Sequence, residues 1–161
     1  MRYRFLPFAG FVALTLAATF AAAQQLSVQP ESGKPTILAR ADIEALPHVK
    51  VMTGSTGNAA TYEGVTLRSV LEKGGVAFGD TMKGQRMASC LLVEAADGYR
   101  AVIALPELDP AFTDKQVILA FLKDGKPLDA KEGPYRIVIP DEKRMARWVR
   151  QVTSLKVVAI Q

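Results

Sequence analysis

The chain has 161 residues, with 20 Lys or Arg against 16 Asp or Glu, one His and one Cys. A single cysteine excludes an internal disulfide, and one Cys with one His cannot build a thiolate or imidazole metal cage, which takes several such ligands. The formal charge of +4 includes Arg2 and Arg4; without them 18 bases face 16 acids, or +2, so the charge does not argue for nucleic acid, and no aromatic-plus-basic recognition module accompanies it.

Arg2 and Arg4 lead into an almost wholly apolar run, Phe5 to Phe20, and Ala21-Ala22-Ala23 supplies a small-residue cleavage site. This pattern predicts a signal peptide over residues 1–23, and the apolar run is short for a membrane anchor with no stop-transfer pattern behind it. The expectation is a single exported domain over 24–161, periplasmic or secreted, with no membrane span after cleavage.

Leu26 to Gln29 alternates and reads as an edge strand. Pro30 to Pro35 is a turn-rich break, and Thr36-Ile37-Leu38 is a short apolar run. Ala41 to Leu46 suits one helical turn, ended before Pro47. Val49 to Thr53 alternates as a strand does, and Gly54 to Asn58 is a polar loop. Thr66 is placed to cap a helix over Leu67 to Lys73, whose Leu67, Val70 and Leu71 share a face, and Gly74-Gly75 closes it.

Phe78 to Arg86 reads as a loop. Met87–Ala95 and Tyr99–Leu105 read as the two central strands, joined at Asp97-Gly98, because glycine supplies the positive φ of a tight hairpin turn. Pro106 to Pro110 is a short connector. Gln116 to Leu122 is a strand followed by a second Asp-Gly turn at Asp124-Gly125. Tyr135 to Ile139 is another strand, closed by Pro140. Asp141 to Arg147 is charged, and Trp148 to Ile160 predicts one or two final strands. The sum is an α+β domain dominated by sheet, with one secure helix.

Four features can carry chemistry. Cys90 sits inside a predicted central strand, where a free cysteine is ordinarily a small buried hydrophobe. His48 has no Ser or Cys nucleophile paired to it in sequence and reads as a loop histidine. The basic run Lys143, Arg144, Arg147 and Arg150, with Arg136 upstream, would put Arg144, Arg147 and Arg150 on one face if helical, and guanidinium groups converging in this way bind phosphate or carboxylate. Against that stands a solvated face balanced by Asp141 and Glu142. The loop Thr53 to Asn58 offers hydroxyls and backbone N–H groups to an anion, or is a plain connector. Asp97 and Asp124 are explained as turn residues, and no acid pair stands out by spacing.

The order of motifs resembles the sulfite-oxidase-like molybdopterin-binding domain. Ala60 to Leu71 is similar to its "W/Y-x-G-V-x-L-x-x-L-L" segment, and Asp97-Gly98-Tyr99 to its DGY turn. Lys123 to Leu128 is similar to "DG-x-P-L", Glu132 to Pro140 to "G-x-P-x-R-x-v-x-P", and Lys143 to Trp148 to the basic "K-x-x-K/R-W". The resemblance runs from about Val49 to Val158. It implies an α+β fold of curved, mainly antiparallel or mixed sheets with few helices. It also implies oxidation of sulfite, or reduction of sulfoxides and related S- or N-oxides, at molybdenum held by a pterin dithiolene and one cysteine. By resemblance Lys143, Arg144 and Arg147 hold the pterin phosphate, and the loop residues Ser55, Thr56 and Asn58 lie at the cofactor.

The sequence departs from the family at the metal. The family's cysteine follows the strand before the "G-V-x-L" helix, often as C-x-G-N. Here the stretch is Met52-Thr53-Gly54-Ser55-Thr56-Gly57-Asn58, with no cysteine, and hydroxyls are poor substitutes for a soft thiolate. No protein metal ligand is therefore assigned, and molybdopterin stays a possible cofactor. Additional dimerisation or haem domains are not expected. Two functions follow. One is an exported binding module for a pterin-like or anionic ligand; the other is a molybdopterin-dependent oxidoreductase with an unidentified redox partner. A structural envelope protein is a third.

Overall fold

The computed structural model describes residues 25–54, 59–140 and 142–160. The predicted signal peptide and the loop residues Ser55, Thr56 and Asn58 lie outside them. One sheet is built from β1 (Leu26–Gln29), β2 (Thr36–Leu38), β5 (Ser89–Ala95), β6 (Arg100–Ala104) and β10 (Val152–Ala159), in the order β2-β1-β10-β5-β6. The other contains β3 (His48–Thr53), β4 (Ala60–Thr66), β7 (Ile118–Lys123), β8 (Lys126–Pro127) and β9 (Arg136–Val138). Its order is β3-β4-β7, with β8 and β9 pairing different halves of β7. Among the described strands only β1 and β10 run parallel; the other pairs are antiparallel.

Alternation sets the buried faces. Along β5, Ser89, Leu91, Val93 and Ala95 are buried while Cys90, Leu92 and Glu94 are half-buried. Leu26 and Val28 are buried on β1, which is not an edge strand as its sequence suggests: β2 pairs one side of it and β10 the other. Its C-terminal partner is remote in sequence, so the second pairing could not be read locally. The buried residues of both sheets and the main helix make one continuous core.

The two α-helices among the described residues are α1 (Arg40–Glu44) and α2 (Leu67–Lys73). α2 starts as the sequence predicts, with the Ser69 amide donating to Thr66 Oγ1 at 3.2 Å. Leu67, Val70 and Leu71 are fully buried, each contributing about 1.5–3 kcal/mol. At its end Gly75 takes φ +94, and the Gly75 and Val76 amides return to the Glu72 and Leu71 carbonyls. Gly64 is required for a different reason. β4 bulges between Glu63 and Gly64 where it meets β7, and a Cβ at Gly64 would lie 2.1 Å from the Leu119 carbonyl oxygen.

Elsewhere the boundaries shift. The strand expected from Met87 begins at Ser89, because Gly84 at φ +59 starts a 3-10 turn over Gly84–Ala88. A helix through Arg144 to Arg150 does not form. Only Met145–Arg147 winds into a 3-10 turn, because the Val149 carbonyl accepts from the Ile137 amide at 2.8 Å and ties the chain to β9 in extended form. The end of the chain is one strand, β10, set off by Gln151 at φ +50. Among the described residues, no helix is long and apolar enough to cross a membrane.

Candidate binding cleft

The site is built around a charge in an apolar strand. β9 reads Arg136-Ile137-Val138, wholly buried, and Arg136 itself is 7% exposed. A buried guanidinium demands partners. Its Nη1 donates to the Tyr62 hydroxyl at 3.1 Å and closely contacts Glu132 Oε1. Its carbon stands 5.4 Å from the ring centroids of both Tyr62 and Trp148, which themselves meet edge to face at 6.0 Å. Lys123 lies 3.6 Å from Glu132 and 5.5 Å from the Tyr62 ring centroid, so one carboxylate serves two cations.

The inventory of donors does not close. Arg136 Nε and Trp148 Nε1 are buried and meet no hydrogen-bond partner among the described residues. Each such orphan costs about 1–3 kcal/mol. Both residues line the same cleft, a cavity of about 370 Å³ whose wall includes Glu132, Met145 and Val149 and whose exposed residues include Asp97, Tyr99 and Arg150.

Three motifs meet there. The Asp97-Gly98 turn, with Gly98 at φ +84, joins β5 to β6 and presents Tyr99. The Asp97 side chain accepts from the Tyr99 amide at 2.9 Å, and the Tyr99 hydroxyl donates to the Ala146 carbonyl at 2.7 Å. The hairpin is thereby fastened to the turn before Trp148. β9 supplies Arg136, and the strand's approach supplies Glu132.

Of the residues expected at the cofactor, Lys143, Arg144 and Arg147 are not among those lining this cleft. Ser55, Thr56 and Asn58 lie outside the described residues; Thr53, just before them, is buried with its hydroxyl 3.4 Å from the Ala60 carbonyl. Lys143 and Arg144 are exposed, and no ion pair or hydrogen bond engages them among the described residues. Arg147 turns inward. Its Nε donates to Glu142 Oε1 at 2.7 Å, Nη1 reaches Glu107 at 3.5 Å, and Nη2 also contacts Glu142. Partial burial works against its charge, yet the bonds to Glu142 and Glu107 prevail and raise its pKa. It is thus a paired structural cation, and only Arg150 of the run reaches the cleft.

The two remaining candidates are structural. His48 opens β3, not a loop, and its ring bridges the Glu44 carbonyl at 2.9 Å and Glu63 at 3.2 Å. The hydrogen bond from Lys50, then that from His48, lowers the Glu63 pKa. Cys90 is half-buried in β5 between Ala104 and Val158, rather than fully buried as expected. It stands in the first sheet, whereas Thr53 ends β3 in the second.

Trp148, Glu132 and Tyr99 were missed as site residues. One sequence signal was available: an arginine inside the apolar run Tyr135 to Ile139 must be either a strand-edge accident or a buried, partnered charge.

The two sheets have the fold of a molybdopterin-binding domain. The sequence matches the family described as the oxidoreductase molybdopterin binding domain over residues 21–160, and the chain belongs to that family. No curated protein matches it. Among solved structures, the sulfane dehydrogenase SoxCD from Paracoccus pantotrophus is similar with a TM-score of 0.65 at 19% identity, over 91% of this chain and 40% of that one. This chain therefore spans well under half the length of that relative, and the likeness is one of fold.

The described residues do not fit a cysteine-ligated molybdenum. The one thiol is in the other sheet from the end of β3, and no group of three or more His, Cys, Asp or Glu among the described residues could hold a metal ion. For a pterin phosphate, Arg147 is already taken by two carboxylates, leaving Lys143 and Arg144.

Proposed function

We propose that this chain is an exported binding module of the oxidoreductase molybdopterin-binding family, taking a pterin-like or anionic ligand without cysteine-ligated molybdenum. The observation that carries the reading is the pair of buried, unpartnered N–H groups of Arg136 and Trp148 at one cleft. A buried donor without an acceptor is a standing deficit that a ligand's oxygen removes. A phosphate arm would find Lys143 and Arg144 exposed nearby in sequence, and Ser55, Thr56 and Asn58 are the loop positions that would add hydroxyl and amide contacts. The Ala21-Ala22-Ala23 cleavage pattern supports export to the periplasm or medium.

Membership of an oxidoreductase family favours a second reading, a molybdopterin enzyme acting on sulfite, sulfoxides or related oxides, with an envelope redox partner. Fold alone does not transfer that chemistry without its metal ligand. Metal analysis of natively exported protein, with pterin fluorescence after denaturation, separates the two. The binding-module reading expects substoichiometric molybdenum and stabilisation by added anions; stoichiometric molybdenum would sink it and establish the enzyme.

A further inference from the structure

The open edges of the two sheets are not alike. β2 is three residues long behind Pro35, and β8 is two residues long and ends in Pro127. β3 carries Lys50 near its middle, with that side chain 68% exposed, and β9 is tied through the Ile137 amide to the Val149 carbonyl. Shortness, proline, a mid-strand lysine and a covering segment all stop a sheet edge from pairing with another chain. β6 has none of them. Its residues Arg100-Ala101-Val102-Ile103-Ala104 pair β5 on one side only, without a bulge, and their one charge stands at the end.

The hydrogen-bond register shows which groups of β6 are unused. The Ala95 amide donates to the Tyr99 carbonyl at 2.9 Å, so bonded pairs recur at every second position, Val93 with Ala101 and Leu91 with Ile103. Arg100, Val102 and Ala104 therefore turn their N–H and C=O groups to the open side, where no backbone group among the described residues meets them. Their side chains share the solvent face of the sheet. Val102 is 50% exposed, Arg100 and Ala104 are exposed, and half-buried Glu94, Leu92 and Cys90 stand opposite Arg100, Val102 and Ala104 in turn.

We propose that β6 pairs antiparallel with β6 of a second copy of this chain, about a twofold axis at Val102, joining two five-stranded sheets into one. The strand is self-complementary about that residue. Val102 meets Val102 of the second copy, and each Arg100 meets an Ala104, so no like charges stand opposite each other. Arg100, Val102 and Ala104 of each copy then donate and accept one backbone bond apiece, and an apolar row of Leu92 and Val102 from each copy runs across the junction. Each Arg100 keeps Glu94 of its own copy beside it, and the two arginines lie at opposite ends of the paired strands. Beyond residue 23 the chain carries 18 bases against 16 acids, or +2, which opposes association only weakly. The pairing makes no use of the unpartnered donors of Arg136 and Trp148, so it is independent of what the cleft holds.

The test is analytical ultracentrifugation of the exported protein over a concentration series, where a reversible monomer–dimer equilibrium is expected. Val102→Lys and Val102→Glu each set two like charges across the axis and should weaken association about tenfold or more. Their far-UV circular dichroism should match the parent, because the Val102 side chain lies on the solvent face. Mixed in equal amounts, the two variants set opposite charges against each other and should form a heterodimer. That rescue requires position 102 to meet itself. A sample that stays monomeric up to about 1 mM overturns the inference. So does a dimer that both variants leave intact, which would place the interface on another face. A mixture that associates no more tightly than either variant alone overturns it as well, because the axis would then lie away from Val102.

Discussion

Arg147 and Arg136 belong to neighbouring motifs and end in opposite conditions. The Arg147 side chain is 31% exposed and faces two carboxylates, Glu142 and Glu107. That of Arg136 is 9% exposed, faces one carboxylate shared with Lys123, is flanked by Tyr62 and Trp148, and still leaves Nε without an acceptor. Counting cations in a basic run therefore does not say which one waits for a ligand. The inventory of partners does, because a satisfied arginine has nothing to gain from an anion and an unsatisfied one has.

The largest way to break this comparison is Arg136→Ala. It leaves Glu132 half-buried against Lys123 alone and empties the space between two rings. The expected loss is roughly 3–5 kcal/mol by urea denaturation, the range for removing one partner of a buried pair. A loss near that of a surface ion pair would show that Arg136 is not held as described.

A fully satisfied buried charge supplies the reference. Asp109 is 2% exposed and accepts from the Gly79 and Ala111 amides and from Arg68 Nη1, at 2.9, 3.1 and 2.9 Å. The Ala111 amide, then the Gly79 amide, lowers its pKa below the ordinary 3.8, with burial opposing. A carboxyl depressed in the folded state contributes stability that is complete above its unfolded value and lost as pH falls through the folded one. Stability should therefore decline below about pH 3.8, the ordinary value of this carboxyl. Asp109→Asn should cost about 1.5–3 kcal/mol at neutral pH, the range for a hydrogen bond to a charged group, and flatten that decline. An unchanged acid slope in the variant would place the acid sensitivity elsewhere.

The difference between these charges also explains what the sequence could tell. The Asp97-Gly98 and Asp124-Gly125 turns, the Thr66 cap and the Gly74-Gly75 stop are decided within a few residues, and each stands where local chemistry puts it. The motif order extended that local reading to the whole fold. The site is a product of pairing. Arg136 comes to Tyr62 because β9 and β4 both pair with β7, and Trp148 closes over it because the Val149 carbonyl is held by Ile137. None of those contacts has a sequence period. Of the two acids on Arg147, Glu142 is near in the chain and was legible as a balancing charge, whereas Glu107 is distant and was not.

Arg147→Ala should be mild. Its pairs are partly solvated, so a loss of about 0.2–1 kcal/mol is expected in the same urea assay. Ligand stabilisation through the cleft should survive. If it vanishes, the satisfied arginine is doing more than holding Glu142 and Glu107, and the contrast with Arg136 collapses.

The sharpest expected effect is one close to zero. Trp148→Phe removes volume from a core position, which destabilises, and it also removes an N–H that has no acceptor, which stabilises. The ring facing Tyr62 and Arg136 is retained in kind. The two effects are of similar size and opposite sign, so unliganded stability should change by no more than about 1 kcal/mol. A loss of 3 kcal/mol or more, on the order expected for truncating a well-packed core aromatic, would mean that Nε1–H is satisfied in solution or that the indole packs more tightly than its contacts indicate. A near-zero change accompanied by lost ligand stabilisation is the one outcome that a purely structural tryptophan cannot produce. It would assign the unpaired donor to binding, not to folding.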